Sequence, residues 1–144
     1  LPALVLDTVV IHVHRCDEFG NAQIDGIQGY AAEIARAAKR LIISTEEIIS
    51  TDEIRKYPER TLIPWFLVDA VVHAPYGSLP GEMPFYYWRD EEHLNSYFEK
   101  VQTEEGMKEY MDDYVYGCKN HDEFLKKIGG EEKLKIFREK ALKR

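Results

Sequence analysis

The segment 4–14, Leu-Val-Leu-Asp-Thr-Val-Val-Ile-His-Val-His, constrains the fold most. It is rich in β-branched residues and short enough to be a strand. Apolar residues run through it with little alternation, the pattern of a strand covered on both faces, as in a parallel sheet. It ends in the polar run Arg15-Cys16-Asp17-Glu18-Phe19-Gly20-Asn21, whose Gly-Asn tip predicts a turn. From Ile27 the period changes. Ile27, Tyr30, Ala31, Ile34, Ala38 and Leu41 recur at threes and fours and predict one apolar helix face. Arg36, Lys39 and Arg40 fall in its final turns, where cations complement the helix dipole. Leu41-Ile42-Ile43-Ser44-Thr45 then predicts a second buried strand. Strand, helix and strand in this order make a βαβ unit with a parallel crossover.

Ser50 with Glu53 predicts a capping box for a short helix ending before Pro58. After the break at Pro64, residues 66–73 predict a third strand, stopped by Pro75. Gly77, Pro80 and Gly81 mark a loop, which the aromatic run Phe85, Tyr86, Tyr87 and Trp88 is expected to order. Beyond Asp90 the pattern is helical throughout. Asp90, Thr103 and Asn120 are the expected N-caps, Gly129 closes the third of these helices, and a last one carries Leu134, Phe137 and Ala141. The fold class is therefore α/β: an open, mostly parallel sheet with crossover helices over residues 1–85, then a helical tail over 86–144 packing on the core or on a partner subunit. Three strands and one long helix cannot cover both faces of a buried sheet. The chain is expected to be incomplete alone.

At 144 residues the chain has the size of one domain. No apolar run approaches the roughly 20 residues of a membrane span, and a secretory signal is not expected, since Pro2 and Asp7 interrupt the first apolar stretch. A net charge of −7 argues against nucleic-acid binding. The tail cations (Lys126, Lys127, Lys133, Lys135, Arg138, Lys140, Lys143 and Arg144) alternate with acids and predict a solvated helix face. Cys16 and Cys118 read as two free thiols of a cytoplasmic protein. His12 and His14 share one strand face without an evident third ligand, so no metal site is expected.

Three stretches carry a resemblance. Val9-Val10-Ile11-His12-Val13-His14-Arg15-Cys16-Asp17-Glu18-Phe19-Gly20-Asn21-Ala22-Gln23 is similar to the strand and Asp-x-x-Gly-Asn turn of A-type subunits of family I coenzyme A transferases. Ala37-Ala38-Lys39-Arg40-Leu41-Ile42-Ile43-Ser44-Thr45-Glu46-Glu47 resembles that family's Ala-Ala-Lys helix end, strand and Glu-Glu turn. Thr61-Leu62-Ile63-Pro64 followed by Phe66-Leu67-Val68-Asp69-Ala70-Val71-Val72 resembles its Pro-x-x-x-Val-Asp segment. The long helical tail looks like the glutaconate CoA-transferase branch. The chain begins at Leu1 and has no counterpart of the family's glycine-rich loop, so it resembles the C-terminal part of such a subunit.

The resemblance implies transfer of CoA between an acyl-CoA and a free carboxylic acid, through a glutamyl-CoA intermediate. The glutamate lies on a B-type subunit, so no catalytic residue is expected in this chain. It implies a hetero-oligomer with the N-terminal half of the A-type subunit, joined by that B-type subunit. Coenzyme A is a substrate, and no resident cofactor is expected. Ring-opening hydrolases of CoA esters resemble the same branch, and a non-catalytic structural subunit is a further reading. Arg15, Asp17 and Asn21, placed beyond a strand end, are the candidate substrate-binding residues, Arg15 as a bidentate partner for a carboxylate. A plain hydrogen-bonded turn explains Asp17 and Asn21 equally. Glu46 and Glu47 are expected just past a strand end as capping or inter-subunit groups, His73 as a structural histidine, and the run Phe85 to Trp88 as a core or interface cluster.

Overall fold

The computed structural model describes residues 3–142, which form two compact units, one up to Gly77 and one from Ser78. Leu1, Pro2, Lys143 and Arg144 lie outside the described residues. In the first unit the order is β1 (Val9–Cys16), β2 (Ala22–Gln23), α1 (Ala31–Ala37), β3 (Leu41–Ile48), α2 (Thr51–Lys56), 3-10 turns at Pro58–Arg60 and Trp65–Leu67, and β4 (Ala70–His73). Among the described residues these strands form one open sheet in the order β2-β1-β3-β4. β1, β3 and β4 run parallel, with Val9 opposite Leu41 and Ile43 opposite Val71, and α1 makes the expected crossover. The sheet is mixed because β2, for which the sequence carries no signal, folds back antiparallel to β1.

Element boundaries differ from the sequence reading for identifiable reasons. β1 begins at Val9 and not at Leu4, while Leu6 makes an isolated bridge to Ala38. At its other end β1 runs on through Arg15 and Cys16, because β2 and β3 both pair with them. The helix expected from Ile27 is confined to α1, whose upstream limit follows Gly29 in the left-handed region at φ +54°. Its expected inward face is correspondingly wrong: Ile27 and Tyr30 are exposed, and Ala35 is the helix residue that packs inward. The third strand begins at Ala70 rather than 66, since Pro64 leads into a 3-10 turn. Asp69 then docks the strand by accepting Leu41 N–H at 2.7 Å.

Val13, Cys16, Ala22, Leu41, Ile43 and Ile63 are buried around the sheet, with Leu6, Ile11 and Val71 packed against them. Each fully buried aliphatic chain contributes about 1.5–3 kcal/mol. Val10 and Val72 remain exposed on the strands.

In the second unit come α3 (Glu91–Lys100), α4 (Glu104–Tyr110) continued by a π-helical stretch (Met111–Tyr116), α5 (His121–Lys127) and α6 (Gly130–Ala141). The aromatic run 85–88 is not one cluster: Tyr87 is buried and its hydroxyl accepts Ser78 N–H, while Phe85 is exposed. Leu134 and Phe137 face inward as expected. Lys133 does not belong to a solvated face. It ion-pairs with the buried Asp90 at 2.8 Å and with Glu92 at 3.3 Å.

His93, in the first turn of α3, is buried against the rings of Tyr110, Tyr114 and Phe124 and hydrogen-bonded to Tyr110 Oη at 2.9 Å. Burial lowers its pKa, against the pull of Asp90 and with the help of Lys133. A base with a lowered folded pKa makes the unfolded state bind more protons. Its neutral form therefore supports the fold above the unfolded value near 6.5, and that support is lost as pH falls below it. The midpoint of thermal unfolding of this unit is expected to drop between pH 7.5 and 5.5, and less so in His93→Gln.

Candidate functional site

The C-terminal ends of β1 and β3 meet at the turn 17–21, the edge of a parallel sheet where ligands bind. Asp17 organises this turn. Fully buried, its carboxylate accepts Phe19 N–H at 3.1 Å, Asn21 N–H at 2.8 Å, the Asn21 amide at 2.8 Å and the Thr51 hydroxyl at 3.0 Å. Burial pushes its pKa up, but the bonds from Asn21, Thr51 and Phe19 outweigh this and hold the carboxyl below its usual range. Asn21 passes the constraint on, its Oδ1 accepting Trp65 N–H at 3.1 Å.

Gly20 closes the turn at φ +97°, and a Cβ there would lie 2.7 Å from Val68 Cγ1. Gly20→Ala is expected to cost about 2–4 kcal/mol, combining left-handed strain with overpacking. Gly29→Ala, at φ +54° with open space around it, is expected to cost only the strain, about 1–2 kcal/mol. Urea unfolding of the two variants separates the terms.

Arg15 lies within β1 and not in the turn. Its Nε donates to Gln23 Oε1 at 2.9 Å and its Nη2 to Asp25 Oδ1 at 2.7 Å. Asp17 and Asn21 are thus brought together, while Arg15 is engaged along the β1–β2 edge. Beside the turn opens a cleft of about 640 Å³, lined by Phe19, Asn21, Thr51, Ile54, Arg55, Pro58, Thr61 and Trp65. That volume is in the range of small-molecule sites. Its walls come from separate segments, so no local sequence pattern announces it.

A second polar cluster sits on the sheet. β3 extends through Glu46 and Glu47, correcting their placement past the strand end; Glu46 is buried on the face opposite Thr45, and Glu47 is exposed where the strand runs out. Glu46 Oε1 meets His12 Nε2 at 2.6 Å, and His12 Nδ1 meets Ser44 Oγ at 2.9 Å across the β1–β3 register. Glu46 Oε2 accepts Tyr76 N–H at 2.6 Å, and its carbonyl accepts His73 Nε2 at 3.2 Å. Tyr76 is in the left-handed region at φ +63°, and a Cβ on Gly77 would meet His12 Cε1 at 2.6 Å. The cluster fixes the 74–77 turn over the imidazole. The signal was present: His12, Ser44 and Glu46 share one strand parity once β1 and β3 are in parallel register.

His14 Nδ1 accepts Asp25 N–H at 3.1 Å. Burial above all raises the Cys16 thiol pKa and keeps it protonated, so it is no nucleophile. Among the described residues no group of three or more His, Cys, Asp or Glu is arranged for a metal ion, and no helix is long and apolar enough to cross a membrane.

Comparison with known proteins decides the family. The family model described as Coenzyme A transferase matches residues 1–74. The chain belongs to the coenzyme A transferase family. An uncharacterized protein of Archaeoglobus fulgidus is 54% identical over 96% of this chain and 31% of the relative. The A-type subunit of the glutaconate CoA-transferase of Acidaminococcus fermentans is 37% identical, over 90% of this chain and 40% of the relative. The crystal structure of that glutaconate coenzyme A-transferase superposes with a TM-score of 0.87, covering 91% of this chain and 41% of the other. The cholesterol ring-cleaving hydrolase IpdA subunit of Mycobacterium tuberculosis is 34% identical over 81% of this chain and 41% of its own length. The chain therefore spans between about a third and two fifths of these relatives.

Proposed function

We propose that the chain is part of a CoA-transferase subunit that moves CoA between an acyl-CoA and a free carboxylic acid, active only with partner chains. The observation that carries this is the 37% identity and 0.87 TM-score to a glutaconate CoA-transferase over nine tenths of the chain. The partners are a B-type subunit bearing the nucleophilic glutamate and the portion of the A-type subunit that the relatives have beyond this match. Coenzyme A enters as a substrate, without a resident cofactor, and the reaction is placed in the cytoplasm.

The chemistry is covalent catalysis by a carboxylate. The partner's glutamate attacks the thioester carbon and expels the CoA thiolate, leaving an acyl-glutamyl anhydride. The thiolate then attacks the glutamyl carbon, releases the donor acid and forms glutamyl-CoA. The acceptor acid reverses the sequence and leaves as its CoA ester. This chain supplies the wall of that site at the ends of β1 and β3. Arg15 on β1 and Asn21 in the turn are its substrate-facing groups, and Asp17 holds the turn that presents Asn21. A substrate carboxylate at Arg15 has to compete with Asp25 for the guanidinium.

A second reading rests on the 34% identity to the ring-cleaving hydrolase subunit. Incubating the purified protein, with its partner chains, with acetyl-CoA and labelled free acids separates the two. Transfer of CoA to the acceptor acid is the expected result. Release of CoA to water at a rate indifferent to the acid supports the hydrolase and overturns the transferase.

A further inference from the structure

We infer that the cleft beside the 17–21 turn receives a ring-bearing acyl group, aromatic or alicyclic, of the CoA thioester. This rests on the reading of the chain as part of a CoA-transferase subunit. Phe19, Ile54, Pro58 and Trp65 give the cleft an apolar lining, and Phe19 and Trp65 are each 58% exposed. Two solvated aromatic faces beside one cleft suit stacking on a flat or cyclic ligand.

Position points the same way, because the cleft adjoins the C-terminal ends of two parallel strands, where the substrate wall is placed. The Thr61 hydroxyl adds a polar requirement. Thr61 lines the wall, and its hydroxyl, shut off from solvent, has no hydrogen-bond partner among the described residues. A buried hydroxyl left unpaired is an uncompensated cost, which a carbonyl or hydroxyl on the ligand removes.

The charges disfavour the other ends of a substrate. The lining cation Arg55 is ion-paired with Asp52, and its neighbour Lys56 with Glu53. A nucleotide phosphate or a short dicarboxylate entering here has to compete with Asp52 for Arg55. A ring with a single polar substituent meets apolar walls and one waiting hydroxyl.

The test is tryptophan fluorescence of the purified protein titrated with benzoate, cyclohexanecarboxylate, benzoyl-CoA, glutarate and coenzyme A. The ring acids and benzoyl-CoA are expected to give a saturable change that glutarate and coenzyme A do not. Trp65→Phe should abolish the change, leaving Trp88 silent. Thr61→Val should weaken benzoyl-CoA binding about tenfold without lowering the melting temperature, since the hydroxyl it removes is already unpaired, and Thr61→Ser should bind as wild type. The same change with coenzyme A alone, a response to glutarate and not to ring acids, no response to any ring acid, or wild-type binding by Thr61→Val overturns the inference. None of these touches the transferase reading, which fails separately if CoA is not exchanged onto any acid.

Discussion

Asp17→Ala is expected to lower the stability of the strand-bearing unit by roughly 3–5 kcal/mol. The carboxylate is fully buried and is the shared acceptor for Phe19 N–H, Asn21 N–H, the Asn21 amide and the Thr51 hydroxyl. Removing it leaves these donors facing an apolar gap. It also frees Asn21, which otherwise holds Trp65 at the cleft wall. Asp17→Asn keeps the shape and one acceptor oxygen and should cost less. Urea unfolding followed by Trp65 fluorescence measures both. The pH dependence has a defined sign. Because the folded pKa is lowered, the contribution is present above the unfolded value near 3.8 and is lost as pH falls through the folded one. Wild type should therefore weaken in acid more steeply than Asp17→Asn.

Glu46→Ala is the second large loss, about 3 kcal/mol, because it strips one buried carboxylate from two partners. His12 loses its hydrogen-bond partner, and Tyr76 loses the hydrogen bond that holds its left-handed backbone. Glu46→Gln keeps an acceptor for one of the two and should recover about half of the loss. Denaturant unfolding gives the energies, and the His12 imidazole resonances give the local change. An alanine variant with unperturbed His12 signals would contradict the assignment of the pair.

Local chemistry was the most legible part of this sequence. Ser50, Asp90, Thr103 and Asn120 each cap a helix, accepting the backbone N–H of Glu53, His93, Gly106 and Glu123. Their short side chains satisfy donors a few residues away, so the signal and its cause share one window. The parallel crossover was legible for a similar reason, since apolar runs at 9–13 and 41–43 demand cover on both faces. What escaped depends on partners distant in sequence. β2 is a strand only because β1 is there to pair with it. Arg15 joins β1 because Gln23 and Glu47 lie beside it in the register. The apolar period from Ile27 suggested a buried helix face, yet Ile27 and Tyr30 are exposed. The cleft, assembled from separate segments, had no window to appear in. Asp17 and Asn21 were visible as a pair through the Asp-x-x-Gly-Asn spacing, but which atoms they bind was not.

The central proposal, that this chain is one part of a composite active site, is tested most directly by intact and native mass of the purified protein, taken before any assay. The predicted result is a hetero-oligomer in which the chain travels with the rest of an A-type subunit, together with a B-type partner. A folded monomer of the 16.8 kDa chain, complete and stable alone, would contradict it.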